Sequence, residues 1–152
     1  MRSIAKVLSA AVFAICVAGI AADASAQQKP EEALKMRQGL FEALKMNFGP
    51  FGAFAKGAAP LPADAAQRAE NMVALAKILP MAFAKGTENL PKSETKAEAF
   101  TSADFPKGFE ALGAASAKLA SAVASGDADA VKAAVGGVGK TCKGCHDTFR
   151  QD

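Results

Sequence analysis

Residues 129–150 read DAVKAAVGGVGKTCKGCHDTFR and contain the most informative pattern in the chain. Apolar side chains recur in this stretch at intervals of three and four, which is the spacing of one face of an α-helix. They are Val131, Val135, Val138, Cys142, Cys145 and Phe149. The pattern predicts a helix over 129–150 with both cysteines facing inward. Three glycines, at 136, 137 and 139, weaken such a helix by roughly 1 kcal/mol each, so either a bulky group approaches them closely or packing tolerates them.

The same periodicity predicts three earlier helices. Together the four predicted helices cover about 30–50, 64–84, 94–124 and 129–150. Gly49-Pro50 should kink or end the first helix, because proline lacks the donor that a helix interior needs. Pro106 marks a bend or a true start in the third, and Gly126 suits its C-terminal cap. Four amphipathic helices with short connections predict an all-α protein, an antiparallel four-helix bundle.

The first 26 residues have the pattern of a secretory signal peptide rather than of a folded segment. Arg2 and Lys6 precede an apolar run, and Ala24-Ser25-Ala26 supplies the small residues of a cleavage site. The apolar run, residues 7–22, is shorter than the roughly 20 residues of a membrane-spanning helix. We therefore expect a single mature domain, residues 27–152, located in the periplasm.

The charge of the mature chain excludes one class of function. Cleavage removes two basic side chains and one acidic side chain, so the formal net charge falls from +3 to +2. Nucleic-acid binding needs a basic stripe, which this near-neutral chain lacks. No second apolar stretch is long enough to anchor the mature protein in a membrane.

Cys142-Lys143-Gly144-Cys145-His146 matches the attachment motif of c-type haem, and His146 is the only histidine in the chain. Two thiols three positions apart on a helix project to one side, about 5–6 Å from each other. They can add to the two vinyl groups on one edge of a haem, while the neighbouring histidine supplies an axial nitrogen to iron. The motif predicts one covalent haem c, with His146 as the metal ligand.

Three other uses of the two cysteines compete with haem attachment. A structural zinc site usually needs four ligands, and a thioredoxin-like pair normally follows a strand. A local disulfide is also possible in an oxidising compartment, but none of the three uses needs the histidine. The residues leave the sixth iron position open to methionine, lysine, water, an exogenous ligand or nothing; the mature methionines are Met36, Met46, Met72 and Met81.

The position of the motif at the C-terminus of a helical bundle resembles the class II c-type cytochromes, in particular the cytochrome c′ family. The resemblance covers the whole mature chain, and its most specific block is Val138 to Arg150. The weaker blocks are Lys29-Pro30-Glu31, Arg37-Gln38, Phe54-Ala55-Lys56-Gly57, Gly86-Thr87-Glu88 and Ala124-Ser125-Gly126-Asp127.

The resemblance implies roles for further residues. Phe41 corresponds to the position on the distal side of the haem where low-spin members carry a methionine ligand, so it implies five-coordinate, high-spin iron. Arg37 lies on an apolar stripe, where a charge needs a partner or must reach solvent along the surface; the resemblance implies pairing with a haem propionate, with Gln38 and Glu88 nearby. Arg150 would lie beside the proximal His146 and limit access to iron.

The function implied by the resemblance is binding of small gases, NO and CO, with possible electron transfer and no enzymatic activity. The absence of a polar distal side chain argues against a peroxidase. The alternative is a low-spin electron carrier in which Met36 or Met46 becomes the sixth ligand, and Lys140 and Lys143 steer a redox protein partner. Relatives pair through their first two helices, which implies a homodimer.

Overall fold

Four α-helices make up most of residues 29–151, the part of the chain that the computed structural model describes. The predicted signal peptide, residues 1–26, lies outside this range and stays a prediction. The helices are α1 (Pro30–Ala55), α2 (Ala65–Ile78), α3 (Phe105–Ser125) and α4 (Ala128–Phe149), with short 3₁₀-helices at Leu79–Ala82 and Ala97–Phe100. The described residues form no strand, only one isolated bridge between Thr95 and Arg150. The all-α, antiparallel four-helix bundle is confirmed.

The core lies between the predicted inward stripes. Helices α2 and α3 pack together, as do α3 and α4, while α1 contacts both α2 and α4. The most fully enclosed large side chains of the apolar core come from all four helical segments: Phe51, Met72, Leu79, Leu119, Val131 and Val138. The inner face predicted for α4 is correct, because Val131, Val135 and Val138 are buried and Cys142, Cys145 and Phe149 pack against the core.

Prolines bear on three helix boundaries, and of the two alternatives given for Pro106 the true start of a helix is the one observed. Helix α1 continues through Gly49-Pro50 to Ala55, because the fully buried Phe51 anchors the turn that follows the proline. Helix α2 ends at Ile78 and tightens into a 3₁₀-helix, since Pro80 cannot donate the next helical hydrogen bond. Helix α3 starts only at Phe105, with Pro106 in its first turn. Residues 83–104, here called the connector, are therefore largely irregular.

Within the described chain, no side chain or backbone atom approaches the glycines of α4 closely. A Cβ built on Gly136, Gly137 or Gly139 would meet no atom of the described chain within 4 Å. The nearer contact of a glycine with α4 lies on the facing helix. A Cβ on Gly108 of α3 would lie 3.5 Å from the Cys145 sulfur, at ordinary van der Waals distance. Gly108 thus lies directly beside the second cysteine.

The start of α4 is set by a two-residue turn. Gly126 adopts a left-handed φ of +72°, as predicted for the C-terminal cap of α3. The Asp127 carboxylate then accepts hydrogen bonds from the backbone N–H groups of Asp129, at 2.9 Å, and Ala130, at 3.1 Å. This cap satisfies two donors that the first turn of a helix leaves free. It fixes where α4 begins and therefore which residues face inward along it.

Within residues 29–151, none of the helices combines the length and the apolar composition needed to cross a membrane.

Replacing Asp127 with alanine should lower the free energy of unfolding by about 1 kcal/mol, because two N–H groups lose their acceptor. Urea denaturation followed by circular dichroism measures the change. Asp104→Ala is the matched control, since Asp104 occupies the same position at α3 but makes no capping bond from its side chain. Equal losses in the two variants would contradict the role assigned to the Asp127 cap.

Candidate haem site

A cavity of about 740 Å³ opens between α1, α3 and α4, and the predicted attachment residues Cys142, Cys145 and His146 line it. Its walls are mainly apolar, with leucine, phenylalanine and valine side chains contributed by the three helices. Cavities of this size and character are typical of cofactor sites. The structure therefore brings the sequence motif to an enclosed space large enough for a planar macrocycle.

Both thiols are free and half-buried on the cavity wall. Burial raises the pKa of Cys142 and of Cys145 above the usual value for a thiol. At neutral pH both side chains are therefore protonated and uncharged. They face the same space as His146, which is the arrangement that attachment along one edge of a haem requires.

His146 stands at the mouth of the cavity with much of its side chain exposed. Partial desolvation of the ring lowers its pKa, and the positive charge of Arg150 lowers it further. The imidazole is therefore neutral at pH 7, so a ring nitrogen can bind a metal ion. In the part of the chain that the structure covers, no three His, Cys, Asp or Glu side chains converge as a metal site.

Phe41 reaches the same cavity from α1. Its ring is half-buried and meets the Phe83 ring edge to face, with centroids 6.2 Å apart. Phe83 also contacts three other rings, those of Phe100, Phe105 and Phe109. At position 41 the α1 wall therefore carries a side chain without any donor or ligating atom, and an aromatic cluster supports it.

The methionines differ in their relation to the cavity. Met72 is fully buried on its wall. Met46 and Met81 are 70% and 72% exposed, and neither they nor Met36 belong to the lining. A sixth ligand from Met36 or Met46 would therefore require α1 to rearrange.

Arg37 is buried, with only 4% of its surface exposed, so the expectation that it could reach solvent is wrong. Its Nε donates to the Ala82 carbonyl at 3.1 Å, and one terminal nitrogen donates to the Thr87 hydroxyl. The other terminal nitrogen contacts the hydroxyls of Ser93 and Thr95 at 3.4 and 3.5 Å. One guanidinium on α1 thus binds the end of the 3₁₀-helix and three points of the connector.

The Arg37 charge has no carboxylate partner within 4 Å among the described side chains. Burial lowers the pKa of Arg37, and the negative charge of Glu88 partly offsets this effect. Glu88 is half-buried but does not line the cavity, so it acts on Arg37 only at a distance. Gln38 does line the cavity, and its side-chain amide donates to the Lys92 carbonyl at 3.3 Å.

Arg150 lines the cavity together with His146 and forms an ion pair of 2.7 Å with Glu94. The backbone of α4 also pairs with the connector at this point. Lys96 N–H donates to the Phe149 carbonyl, and Gln151 N–H donates to the Glu94 carbonyl, both at 2.8 Å. The connector is therefore held from α1 by Arg37 and from α4 by this pairing.

The sequence interpretation missed the connector residues that build this edge of the cavity. Thr87, Ser93, Glu94 and Thr95 lie in a stretch without periodicity, so no pattern singled them out. Only Thr87 carried a signal, because it belongs to the Gly86-Thr87-Glu88 block. Phe83 carried no signal of its own either, since it falls inside the predicted helical range 64–84 among other apolar residues.

Comparisons with known proteins agree with this geometry. The family model described as cytochrome C′ matches residues 32–150. Cytochrome c′ of Pararhodospirillum photometricum is 38% identical over 123 residues, which are 80% of this chain and 98% of that protein. The crystal structure of cytochrome c′ from Rubrivivax gelatinosus has a TM-score of 0.75 and 37% identity, covering 82% of this chain and 98% of that chain.

Two structures of cytochrome c′ variants from Alcaligenes xylosoxidans contain bound gases. The ferrous variant with NO has a TM-score of 0.74 and 32% identity, covering 82% of this chain and 97% of its own. The variant with bound carbon monoxide has a TM-score of 0.74 and 33% identity, covering 82% of this chain and 98% of its own. With the family match extending over the bundle and its C-terminal motif, the chain belongs to the cytochrome c′ family.

Proposed function

We propose that this protein is a periplasmic cytochrome with one covalently attached haem c, whose five-coordinate, high-spin iron binds NO and CO. The observation that carries the proposal is Phe41, a side chain unable to ligate iron, on the wall of the cavity that His146 enters. Family membership implies a haem c cofactor. Haem supplies the iron to which diatomic gases bind.

The residues on the cavity wall fit such a group. Cys142 and Cys145 are uncharged thiols that would hold the haem through two thioether bonds, and the neutral imidazole of His146 would be the axial ligand. Phe41 would exclude water and hinder bulky ligands. Phe41 offers no hydrogen-bond donor at its position on the wall, which favours NO and CO over O₂, because bound O₂ needs polar stabilisation. The gas complexes of the Alcaligenes relative support this choice.

Arg37 would pair with a haem propionate. A buried charge is costly unless it has a counter-charge, and the partners of Arg37 in the described chain are all neutral acceptors. A propionate carboxylate would supply the missing negative charge. Gln38 lies on the same wall and could donate to it, whereas Glu88 would act only through its effect on Arg37.

A second candidate function is electron transfer by low-spin iron with a methionine ligand. Met72 favours it, because it is the described methionine that lines the cavity. Lys140 and Lys143 could steer an acidic redox partner, although Lys143 already pairs with Asp147 at 2.6 Å. We infer binding or electron transfer rather than enzymatic catalysis, and a homodimer formed through α1 and α2, where Met46 is exposed.

The optical spectrum of the reduced protein distinguishes the two functions. Five-coordinate iron should give a broad, high-spin spectrum that changes on addition of CO. The chain should be expressed with its leader in a host that matures c-type cytochromes. A sharp low-spin α-band that CO leaves unchanged would instead favour the electron carrier.

Replacing Phe41 with alanine should increase the CO association rate at least several-fold, because the ring no longer fills the approach to iron. Stopped-flow mixing of the ferrous protein with CO measures this rate. Phe54→Ala is the matched control, since Phe54 lies on the same helix but outside the cavity lining. Identical rates in the wild type and Phe41→Ala would show that Phe41 does not guard the iron.

Replacing Arg37 with methionine should lower the free energy of unfolding by about 2–3 kcal/mol, because the buried Ala82 carbonyl loses its side-chain donor and the connector loses an anchor. It should also lower the haem reduction potential, since a positive charge near iron favours the ferrous state. Urea denaturation and a redox titration measure the two effects. Arg68→Met, at an arginine of α2 outside the cavity lining, is the control. An unchanged potential would argue against propionate pairing.

A further inference from the structure

The ion pair between Arg150 and Glu94 joins the last turn of the bundle to the connector. The guanidinium lies 2.7 Å from the carboxylate, and the two side chains are 50% and 69% exposed. Exposed ion pairs usually contribute little, because ordering two long side chains costs conformational entropy. The pair differs from the other exposed ion pairs of the described residues in the segments that it joins.

The backbone on both sides of this pair is already fixed. Thr95 and Arg150 form an antiparallel bridge, and hydrogen bonds of 2.8 Å join Lys96 to Phe149 and Gln151 to Glu94. The Gln151 side chain adds a further bond to the Thr95 carbonyl at 3.2 Å. The other five ion pairs identified among the described residues join side chains three or four positions apart on one helix or its cap. This pair alone among them links two separate segments whose backbones hold each other in register.

The location of the pair gives it a functional consequence. Arg150 and Glu94 both line the cavity that His146 enters, and Arg150 is one helical turn beyond that histidine. The guanidinium can rotate about several bonds when it has no partner, and then it covers no fixed part of the cavity mouth. A carboxylate held by the connector restricts that rotation.

We propose that Glu94 is a positioning residue, which holds the Arg150 guanidinium in one place at the cavity mouth and so restricts access to the His146 side of the haem. The proposal rests on the gas-binding function proposed above. It assigns a role to an acidic residue of the connector, a segment that carries no recognisable motif. Arg150 is the group that obstructs the mouth, and Glu94 acts only through it.

The test compares Glu94→Gln with Glu94→Asp, which retains the charge, and with Glu98→Gln, a matched loss of charge at an exposed connector residue outside the identified ion pairs. Solvent exchange of the Arg150 Nε–H group, measured by NMR in the haem-loaded protein, reports on positioning. It should become roughly two- to fivefold faster in Glu94→Gln, the factor that corresponds to an exposed ion pair. Glu94→Asp should restore part of the effect, and Glu98→Gln should match the wild type.

A ligand that reaches iron from the His146 side must displace that imidazole, so the rate at which excess NO replaces His146 in the ferrous protein, followed by the optical spectrum, should rise by a similar factor in Glu94→Gln. The rise should vanish when Glu94→Gln is combined with Arg150→Gln, because the residue acts through the arginine. Arg150 exchange, or a rate of His146 replacement, equal to that of Glu98→Gln would overturn the proposal. If the wild type binds neither NO nor CO, the gas-binding function fails, and unchanged Arg150 exchange in Glu94→Gln remains the separate result that refutes positioning.

Discussion

The burial of one positive charge organises the side of the bundle that faces the cavity. Arg37 lies on the apolar stripe of α1, where its guanidinium could not remain without partners. The end of the 3₁₀-helix supplies the Ala82 carbonyl, and the connector supplies three hydroxyl groups. The Phe83 ring also lies 4.4 Å from the guanidinium carbon, a distance at which a cation is attracted to an aromatic face. An irregular segment without an apolar stripe of its own thereby acquires a defined course.

This arrangement links the two ends of the site. The connector that Arg37 holds from α1 is the same segment that pairs with the backbone of α4 near Arg150. Phe83, beside Arg37, in turn contacts the Phe41 ring on the cavity wall. The position of Phe41 and the position of Arg150 therefore depend on one segment, although one residue belongs to the first helix and the other follows the last.

The extent to which the sequence predicted this structure follows from the range of the interactions involved. Helical faces and the attachment motif are local patterns, so Val131 to Phe149 could be assigned an inner face and a chemistry from spacing alone. The connector has neither property. Its order comes from contacts with Arg37 and with α4, more than forty positions away in sequence. The sequence left the effect of Pro50 open for a related reason, because burial of Phe51 outweighs the local preference to end the helix.

The electrostatics of the cavity also point to what it binds. Neutral groups surround the buried Arg37 charge, the nearest acidic influence is Glu88 outside the lining, and the thiols and imidazole on the opposite helix are uncharged at pH 7. A ligand that suits this space should be apolar over most of its area and carry negative charge at the edge near Arg37. A haem would meet both conditions, because its ring is apolar and its propionates are negatively charged; Arg37 and the α4 residues Cys142, Cys145 and His146 are the groups that would hold it.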